Sequence, residues 1–465
     1  MNLRKKSSAF LLGISLICIT LFSVITLSSC GVLDGLLYVA DTKEEYLSGI
    51  DEIKSGESAS RYDYVSQYLR ELGTPVFDIN KTIYFEEAFR QYYNLGNGLP
   101  DTLTHAALCA EYFAENYFDK VKGLDKATIT DAVITSYVNV VGDIYSIYRP
   151  KESFDEHLDD MSGSFGGIGV TIELNAASES AVIVEVMIGS PAERAGARAG
   201  DSIIAVDGKS IEELGYLNIA SHTRGDVGKD VSVTVRRGDE TLTLIMTREI
   251  IEVKTVEYAI SADKIGYVRI SSFKENTFEQ FVEAIDFLVD EGALGVIFDV
   301  RNNPGGYLDT AIDMISYILP TGREIVSYDY KDGRHISKKS VDDKHPETNE
   351  ISDHTLNIPM AVICNEYSAS AAEIFTAAIR DYRDMGLLEA VTVGKTTYKK
   401  GIIQASIIYK PDGSSVTLTI AYYAPPSGEC YHGVGIAPDY EVELGESADT
   451  QMSEAYRLLN TLITN

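Results

Sequence analysis

The chain has 465 residues, too many for one compact core, which predicts two or three domains. Its 40 basic and 70 acidic residues give a net charge of -30, which repels phosphate backbones and argues against nucleic acid as a partner. A hydrophobic fraction of 45% with 24% charged residues is typical of a folded, soluble protein.

Residues 1–30 have the layout of an export signal. A basic stretch at residues 4–6 precedes an apolar run from Ala9 to Leu27, and the ending Leu-Ser-Ser-Cys resembles a bacterial lipobox. That resemblance implies cleavage before Cys30 and a lipid on its thiol. A transmembrane anchor is the alternative, because the run is nearly long enough to span a bilayer. Both interpretations put the remainder outside the cytoplasm, at the bacterial cell membrane.

Residues 31–75 are mixed and polar, and we interpret them as a tether. From Tyr84 to Tyr148 the apolar positions recur at intervals of three and four, which predicts a helical N-terminal domain over residues 76–160. The cysteines beyond the signal are too few and too widely spaced for a disulfide framework or a metal cluster, at positions Cys109, Cys364 and Cys430.

Between residues 161 and 255 the pattern changes to short β-branched runs punctuated by glycine. Strands are predicted at Ala181–Val186, Ser202–Val206 and Val231–Val235, the last with clean alternation of apolar and polar residues. This segment has the size of a compact β-rich domain.

From residue 256 to residue 445, β segments alternate with helical ones, which predicts an α/β domain. The expected strands and helices are Ile265–Ile270, Thr277–Val289, Gly295–Val300, Pro359–Ile363, Ser370–Tyr382 and Gly401–Ile408. Residues 330–356 are rich in Lys, Asp, His and Ser, which indicates an exposed insertion or mobile loop. A final helix is expected within residues 446–465.

Ser370 stands where a buried strand gives way to a helix. A nucleophile at a helix N-terminus has free backbone N–H groups beside it that can bind the oxyanion of a tetrahedral intermediate. The alternative is structural, because Ser370 followed by Glu373 has the spacing of a capping box.

A serine nucleophile needs a base, and the seven histidines accompany no Gly-x-Ser-x-Gly motif. The other candidate is a lysine that burial keeps neutral. Lys399-Lys400 opens the predicted strand, where side-chain alternation puts Lys400, Ile402 and Gln404 on one face and Lys399 on the other, so Gln404 could orient the Lys400 amine. Two lysines that protect an edge strand from aggregation are the competing interpretation.

The segment Asp299–Gly306 leaves another predicted buried strand and ends in two glycines, Gly305 and Gly306. Glycines there expose backbone N–H groups and allow close approach of a substrate, which suits an oxyanion hole or a peptide clamp.

Several motifs, in this order, resemble those of the carboxyl-terminal processing peptidases, the S41-type serine proteases. They are Gly142-Asp143, Ser164–Gly169, Gly189–Ala192, Asp207-Gly208, Ile265–Phe273, Asp299–Gly306, Ser368–Glu373, Lys400–Gln404 and Gly433–Asp439. The resemblance implies an α+β and α/β multidomain fold: a helical N-terminal region, a PDZ-like β domain and a crotonase-like α/β serine protease core.

By this resemblance Ser370 is the nucleophile, Lys400 the catalytic base and Gln404 the residue that orients the base. The backbone N–H groups of Ala371 and of Gly305 or Gly306 would hold the oxyanion. Lys399 replaces the glycine that the family has before its lysine, and Ala372 replaces a serine.

The PDZ-like domain would bind substrate tails by their terminal carboxylates. The loop implied for this is Gly166, Gly167, Ile168, Gly169 and Val170. The expected function is therefore a membrane-anchored serine endopeptidase acting on extracytoplasmic proteins, without metal or cofactor, and a homo-oligomer is one option for its assembly. One alternative is a noncatalytic PDZ scaffold or pseudoprotease, and another is an acyl-transfer or hydratase-type relative of the core fold.

Overall fold

A computed structural model describes residues 78, 81–82, 84–85, 125–139, 143–175, 180–330, 333–340 and 356–464. The predicted signal with Cys30, the tether and Cys109 lie outside the described residues. The chain divides into two compact units, residues 1–151 with 404–420 and residues 152–403 with 421–465. No described helix combines the length and apolar character needed to cross a bilayer.

The first unit combines helix with strand. Its elements are α1 (Lys126–Asn139), β1 (Ile147–Arg149), most of β17 (Ile402–Tyr409) and the first part of β18 (Ser414–Ala424). Strand β1 pairs antiparallel with β18, and a buried core joins them to α1 through Ile134, Tyr148 and Leu418. The helical N-terminal domain expected over residues 76–160 stays a prediction, and its described residues include the strand β1 beside helix. The three-residue β1 is too short to show a period, and residues 404–420 come from a distant part of the sequence.

The second unit contains the predicted β-rich module. It begins with α2 (Lys151–Ser162), nearly all of which falls in this unit, and β2 (Ser164–Gly167), which pairs with β9 (Glu249–Glu252). Between these strands lie β3 (Val170–Asn175), β4 (Ser180–Val186), α3 (Pro191–Arg194), β5 (Ser202–Val206), β6 (Lys209–Ser210), α4 (Ile211–Leu214), α5 (Ile219–Thr223), β7 (Asp230–Arg237) and β8 (Glu240–Thr247).

The sheet of this module has the order β3-β4-β5-β7-β8, with β6 beside β5. Alternation along β7 turns Val231, Val233 and Val235 into the core, as the sequence pattern predicts.

The α/β part of the second unit is built on a six-stranded sheet. Its elements are β10 (Val256–Ile260), β11 (Ile265–Ile270), α6 (Thr277–Asp290), β12 (Gly295–Asp299), α7 (Leu308–Ile318), β15 (Met360–Cys364), α8 (Ala371–Asp384), β16 (Ala390–Gly394), β19 (Tyr440–Glu441) and α9 (Thr450–Thr464). The order is β10-β11-β12-β15-β16-β19, parallel from β11 onwards.

Helices cover both faces of this sheet, which explains why every residue of β12, β15 and β16 is buried. On one face Ile297 belongs to a core with Leu459 of α9. On the other face Phe298 packs against Phe375 of α8, with ring centroids 5.3 Å apart. Because β12 and β15 are parallel neighbours, the loops that follow them emerge at the same edge of the sheet.

Within residues 330–356, expected to form an exposed insertion or mobile loop, the structure describes an exposed strand. Strand β14 (His335–Lys339) pairs antiparallel with β13 (Glu324–Tyr330), which in turn pairs with the last residues of β18. All five residues of β14 are exposed, so the strand has no buried face and no hydrophobic alternation to reveal it. Residues 341–355 lie outside the described part of the chain.

Candidate active site

Ser370 occupies the turn between β15 and α8. Its backbone has φ 55° and ψ -115°, a left-handed conformation that costs free energy in a residue with a side chain. Its N–H donates to Oε2 of Glu373 at 2.8 Å. The side chain is half-buried, and Ala371 opens the helix, where a backbone N–H has no acceptor within the helix itself. The turn thus resembles the strained strand-to-helix junctions that present serine nucleophiles.

The loop after β12 brings Gly305 against this serine and Gly306 against the backbone of Phe273. A Cβ on Gly305, whose φ is 95°, would lie 2.6 Å from the Ala369 carbonyl oxygen and 2.8 Å from Ser370 Cβ. A Cβ on Gly306 would lie 2.0 Å from the Phe273 carbonyl oxygen. Only glycine therefore permits this approach at either position.

The two glycine amides are not equivalent. The N–H of Gly305 donates to Oδ1 of Asn303 at 2.8 Å, so it is already used. No acceptor is found for the N–H of Gly306 among the described residues. Of the two glycines predicted for an oxyanion hole, Gly306 is the one whose amide is available.

Asn303 holds this loop in place, and the sequence pattern did not reveal it. Asn303 is fully buried, and its side-chain Nδ2 donates to the Ile270 carbonyl oxygen at 2.9 Å. Its backbone carbonyl oxygen accepts the N–H of Ala369 at 2.9 Å. An asparagine before Pro-Gly-Gly is a common turn residue, so its sequence context gives no sign of this bridging role.

Lys399 and Lys400 both lie before β17, which begins at Ile402. Lys399 is exposed and has φ 85°, whereas Lys400 is half-buried. Strand alternation therefore does not distinguish the two lysines, and that step of the prediction was wrong. The positive φ of Lys399 is a backbone conformation that glycine adopts at a lower free-energy cost than a residue with a side chain.

Glu373 joins the lysine segment to the serine. Its carboxylate is fully buried and accepts four hydrogen bonds. The donors are Ser370 N (2.8 Å), Thr397 Oγ1 (2.6 Å), Lys399 N (2.8 Å) and Lys400 N (2.9 Å). A buried carboxylate is stable only when such donors surround it. The capping-box spacing explains only the first of these bonds.

Gln404 belongs to the first unit, where its side-chain amide donates to the carbonyl oxygen of Tyr145. Its role in orienting Lys400 stays a prediction. Arg301, in contrast, has a structural explanation: it binds the carboxylates of Asp299 at 2.6 Å and Asp449 at 2.8 Å, which ties the glycine loop to the start of α9. Burial alone would lower the pKa of Arg301, but these two carboxylates raise it overall.

Two cysteines fall within the described residues. Cys364 is buried at the end of β15, and burial raises the pKa of its thiol to about 12. Cys430 is exposed, and its sulfur lies 4.0 Å from the carbonyl oxygen of Gly401, the residue after Lys400.

The predicted carboxylate-binding loop is shorter than the sequence indicates. Gly166 and Gly167 belong to β2 and pair with β9, so they are not part of a loop, and their role in binding stays a prediction. Ile168 and Gly169 form the loop itself, and Val170 begins β3. In the described sheet β3 pairs only with β4, which leaves its other edge able to accept a further strand.

Comparisons with known proteins agree with this architecture. Residues 264–442 match the model of peptidase family S41, and residues 166–247 match that of the PDZ domain. The carboxy-terminal processing protease CtpA of Bacillus subtilis is 34% identical over 342 residues, which cover 73% of this chain and 68% of that protein.

A probable CtpA-like serine protease of Staphylococcus aureus is 33% identical over 325 residues, which cover 70% of this chain and 62% of that protein. A solved structure of a lipoprotein from Streptococcus agalactiae is 14% identical with a TM-score of 0.50, over 83% of this chain and 97% of that one, and shows similarity of fold alone. The chain belongs to peptidase family S41 and is a serine protease of the carboxy-terminal processing type.

Proposed function

We propose that this protease is an extracytoplasmic, membrane-tethered endopeptidase in which Ser370 is the nucleophile and Lys400 the base. The observation that carries the proposal is the Glu373 carboxylate, whose Oε2 accepts the backbone N–H groups of both Ser370 and Lys400. One buried group thus fixes the segments of nucleophile and base relative to each other.

In this mechanism the neutral amine of Lys400 takes the proton of the Ser370 hydroxyl as its oxygen attacks a peptide carbonyl. The N–H groups of Ala371 and Gly306 stabilise the negative charge on the carbonyl oxygen. The protonated amine then gives its proton to the leaving amine, and an acyl-enzyme remains. Water hydrolyses this ester with Lys400 again as the base, and no metal or organic cofactor is needed.

Lys399 bears on the scaffold alternative, in which the extra lysine displaces the base. The backbone of Lys399 adopts the left-handed conformation of a glycine, and both lysine N–H groups reach Glu373. A lysine in place of glycine is thus accommodated by local strain, without removing the Lys400 segment from Glu373. This favours catalysis over a noncatalytic scaffold.

Cleavage of a denatured protein tests the catalytic assignment. We expect Ser370→Ala and Lys400→Ala to abolish cleavage and Lys399→Ala to retain it, with thermal unfolding as the check that each variant folds. Because a lysine base must lose its proton, the activity should rise toward alkaline pH. Full activity of Lys400→Ala would disprove the Ser-Lys mechanism, and binding without cleavage by the unmutated chain would favour the scaffold.

The free edge of β3 and the Ile168–Gly169 loop support recognition of substrate carboxyl tails by the PDZ domain. The test compares a peptide ending in a free carboxylate with its amidated form. We expect the amidated peptide to bind at least tenfold more weakly, because the loop N–H groups then face no negative charge. Equal affinities would contradict the proposal.

The membrane tether rests on the sequence around Cys30. Metabolic labelling with a radioactive fatty acid should mark the unmutated chain and not Cys30→Ala. Equal labelling of both proteins would exclude Cys30 as the modified residue.

A further inference from the structure

Asp143 belongs to the first of the sequence motifs, and the proposed mechanism gives it no role. It lies in a turn of the first unit, just before β1. Its Oδ1 accepts the N–H of Tyr145 at 3.0 Å, and its Oδ2 accepts the hydroxyl of Ser146 at 2.7 Å. The backbone N–H of Ser146 donates to the Asp143 carbonyl oxygen at 3.1 Å. One aspartate therefore accepts three hydrogen bonds that fix residues 143–146.

This turn sets the direction of the Tyr145 carbonyl group. In a planar trans peptide, the C=O of one residue and the N–H of the next point in opposite directions. The N–H of Ser146 points to Asp143, so the carbonyl of Tyr145 points away from it, where it accepts Nε2 of Gln404. The turn that Asp143 holds is therefore connected to a residue of β17 that lies 259 positions later in the chain.

The contact with Tyr145 also determines which way round the amide of Gln404 lies. A carbonyl oxygen can only accept, so the NH₂ group of the amide faces Tyr145 and its oxygen Oε1 points the other way. This orientation matters for a lysine base. An amide oxygen accepts an N–H of a neutral amine and leaves the amine lone pair for the serine hydroxyl. An NH₂ group would instead donate to that lone pair and block it.

We propose that Asp143 is a positioning residue for catalysis, which acts on the amide of Gln404 through the Tyr145 carbonyl. The inference rests on the role proposed for Lys400 and on the role predicted for Gln404. Asp143 holds the turn, and the turn directs the carbonyl group. The carbonyl group keeps Oε1 of Gln404 as the atom presented to the amine of Lys400. The aspartate of the first motif thereby has a function beyond that of a turn residue.

The same unit offers a matched control. Asp412 lies in the turn between β17 and β18, and its Oδ1 accepts the N–H and the hydroxyl of Ser414 at 2.9 and 2.6 Å. It also forms an ion pair with Lys81 at 2.8 Å. Asp412→Ala should therefore lower the thermal midpoint at least as much as Asp143→Ala, but it leaves the turn at residues 143–146 intact.

The test measures steady-state cleavage of a peptide as a function of pH, with thermal unfolding as the check on folding. Gln404→Ala should lower kcat about tenfold to a hundredfold, and Asp143→Ala about threefold to tenfold, because the amide is lost in the first and displaced in the second. KM should stay within about twofold, since no substrate contact is lost. Asp412→Ala should keep kcat within about twofold.

The pH profile gives a second measure that a loss of stability alone would not change. An acceptor for its N–H groups favours the protonated form of an amine. The pH of half-maximal activity should therefore fall by about 0.5–1 unit in Gln404→Ala, because hydrogen bonds to charged groups are the stronger ones. It should move in the same direction in Asp143→Ala and stay unchanged in Asp412→Ala.

A double variant separates positioning from stability. Because Asp143 acts through Gln404, adding Asp143→Ala to Gln404→Ala should change kcat by no more than about twofold. Losses that multiply in the double variant, or an unchanged kcat in Asp143→Ala, would overturn the inference alone. Full activity of Gln404→Ala would overturn it together with the role predicted for Gln404, and full activity of Lys400→Ala would disprove the proposed base.

If Asp143→Ala does not fold, the α-hydroxy analogue of serine at position 146 replaces it. This analogue turns the peptide bond between residues 145 and 146 into an ester, whose carbonyl oxygen is a weaker acceptor, and leaves every side chain unchanged. A lower kcat with the same direction of shift in the pH profile then supports the inference, and an unchanged kcat overturns it.

Discussion

Replacing Glu373 by glutamine would disturb the group that links the proposed nucleophile to the proposed base. Each carboxylate oxygen of Glu373 accepts two hydrogen bonds, Oε2 from Ser370 N and Lys400 N, and Oε1 from Thr397 Oγ1 and Lys399 N. In glutamine one of these oxygens becomes an NH₂ group that faces donors. The less costly orientation puts it toward Thr397, whose hydroxyl can rotate to accept, and leaves the N–H of Lys399 without an acceptor.

The size of the effect follows from this arrangement. An unsatisfied buried N–H lowers the free energy of unfolding by about 1–3 kcal/mol. Each of the two hydrogen bonds that remain on the oxygen weakens by about 1 kcal/mol, because the acceptor is no longer charged. The total loss in the free energy of unfolding is therefore about 3–5 kcal/mol. For a unit of this size the thermal midpoint should fall by roughly 10 °C. Displacement of Ser370 from Lys400 by even 1 Å should lower kcat about a hundredfold.

Differential scanning calorimetry and peptide cleavage measure the two effects of Glu373→Gln. The control is Glu366→Gln, which removes the same charge from an exposed position in the same segment and should change neither quantity. If Glu373→Gln kept the midpoint within about 2 °C and kcat within about threefold, the linking role of Glu373 would be refuted.

Three further changes test other features of the fold. Gly305→Ala should abolish cleavage, because the glycine has φ 95° and the new Cβ would lie 2.6 Å from a backbone oxygen. The control is Gly386→Ala, where φ is 73° and no atom lies within 4 Å of the new Cβ. This control should lower the free energy of unfolding by only about 1–2 kcal/mol in a denaturant titration. Lys399→Gly should stabilise the chain by up to about 1 kcal/mol, measured the same way, since it removes a strained φ of 85°, and a lower stability would contradict this. Arg237 lowers the pKa of Asp201, so their ion pair stabilises the folded state above about pH 4. This contribution is lost as the pH falls further. In Asp201→Asn the free energy of unfolding should therefore lack this part of the loss at acid pH.

The sequence was sufficient for the family and for most of the fold. Alternation in Val231–Val235 and the apolar runs at Ile265–Ile270 and Gly295–Val300 predicted β7, β11 and β12 correctly. These elements have a buried face or are buried entirely, so packing and local sequence agree. Strand β14 has no buried residue, and its pairing with β13 therefore leaves no trace in the local pattern.

The candidate site was only partly predictable, for a related reason. Ser370 and the glycine loop stand at strand ends, where local sequence marks a turn. Two of the four partners of Glu373 are backbone N–H groups 26 and 27 residues downstream, and any residue type except proline can supply them. Contacts of this kind become visible only in a three-dimensional structure.

Cys430 affects how inhibitor experiments on this protease are interpreted. Its exposed thiol lies beside Gly401, one residue from the proposed base. A maleimide or an organomercurial attached there adds bulk next to Lys400, so loss of activity with such reagents does not indicate a cysteine peptidase. Class assignment by reagent is therefore reliable only with Cys430→Ser, in which serine-directed reagents should still inactivate and thiol reagents should not.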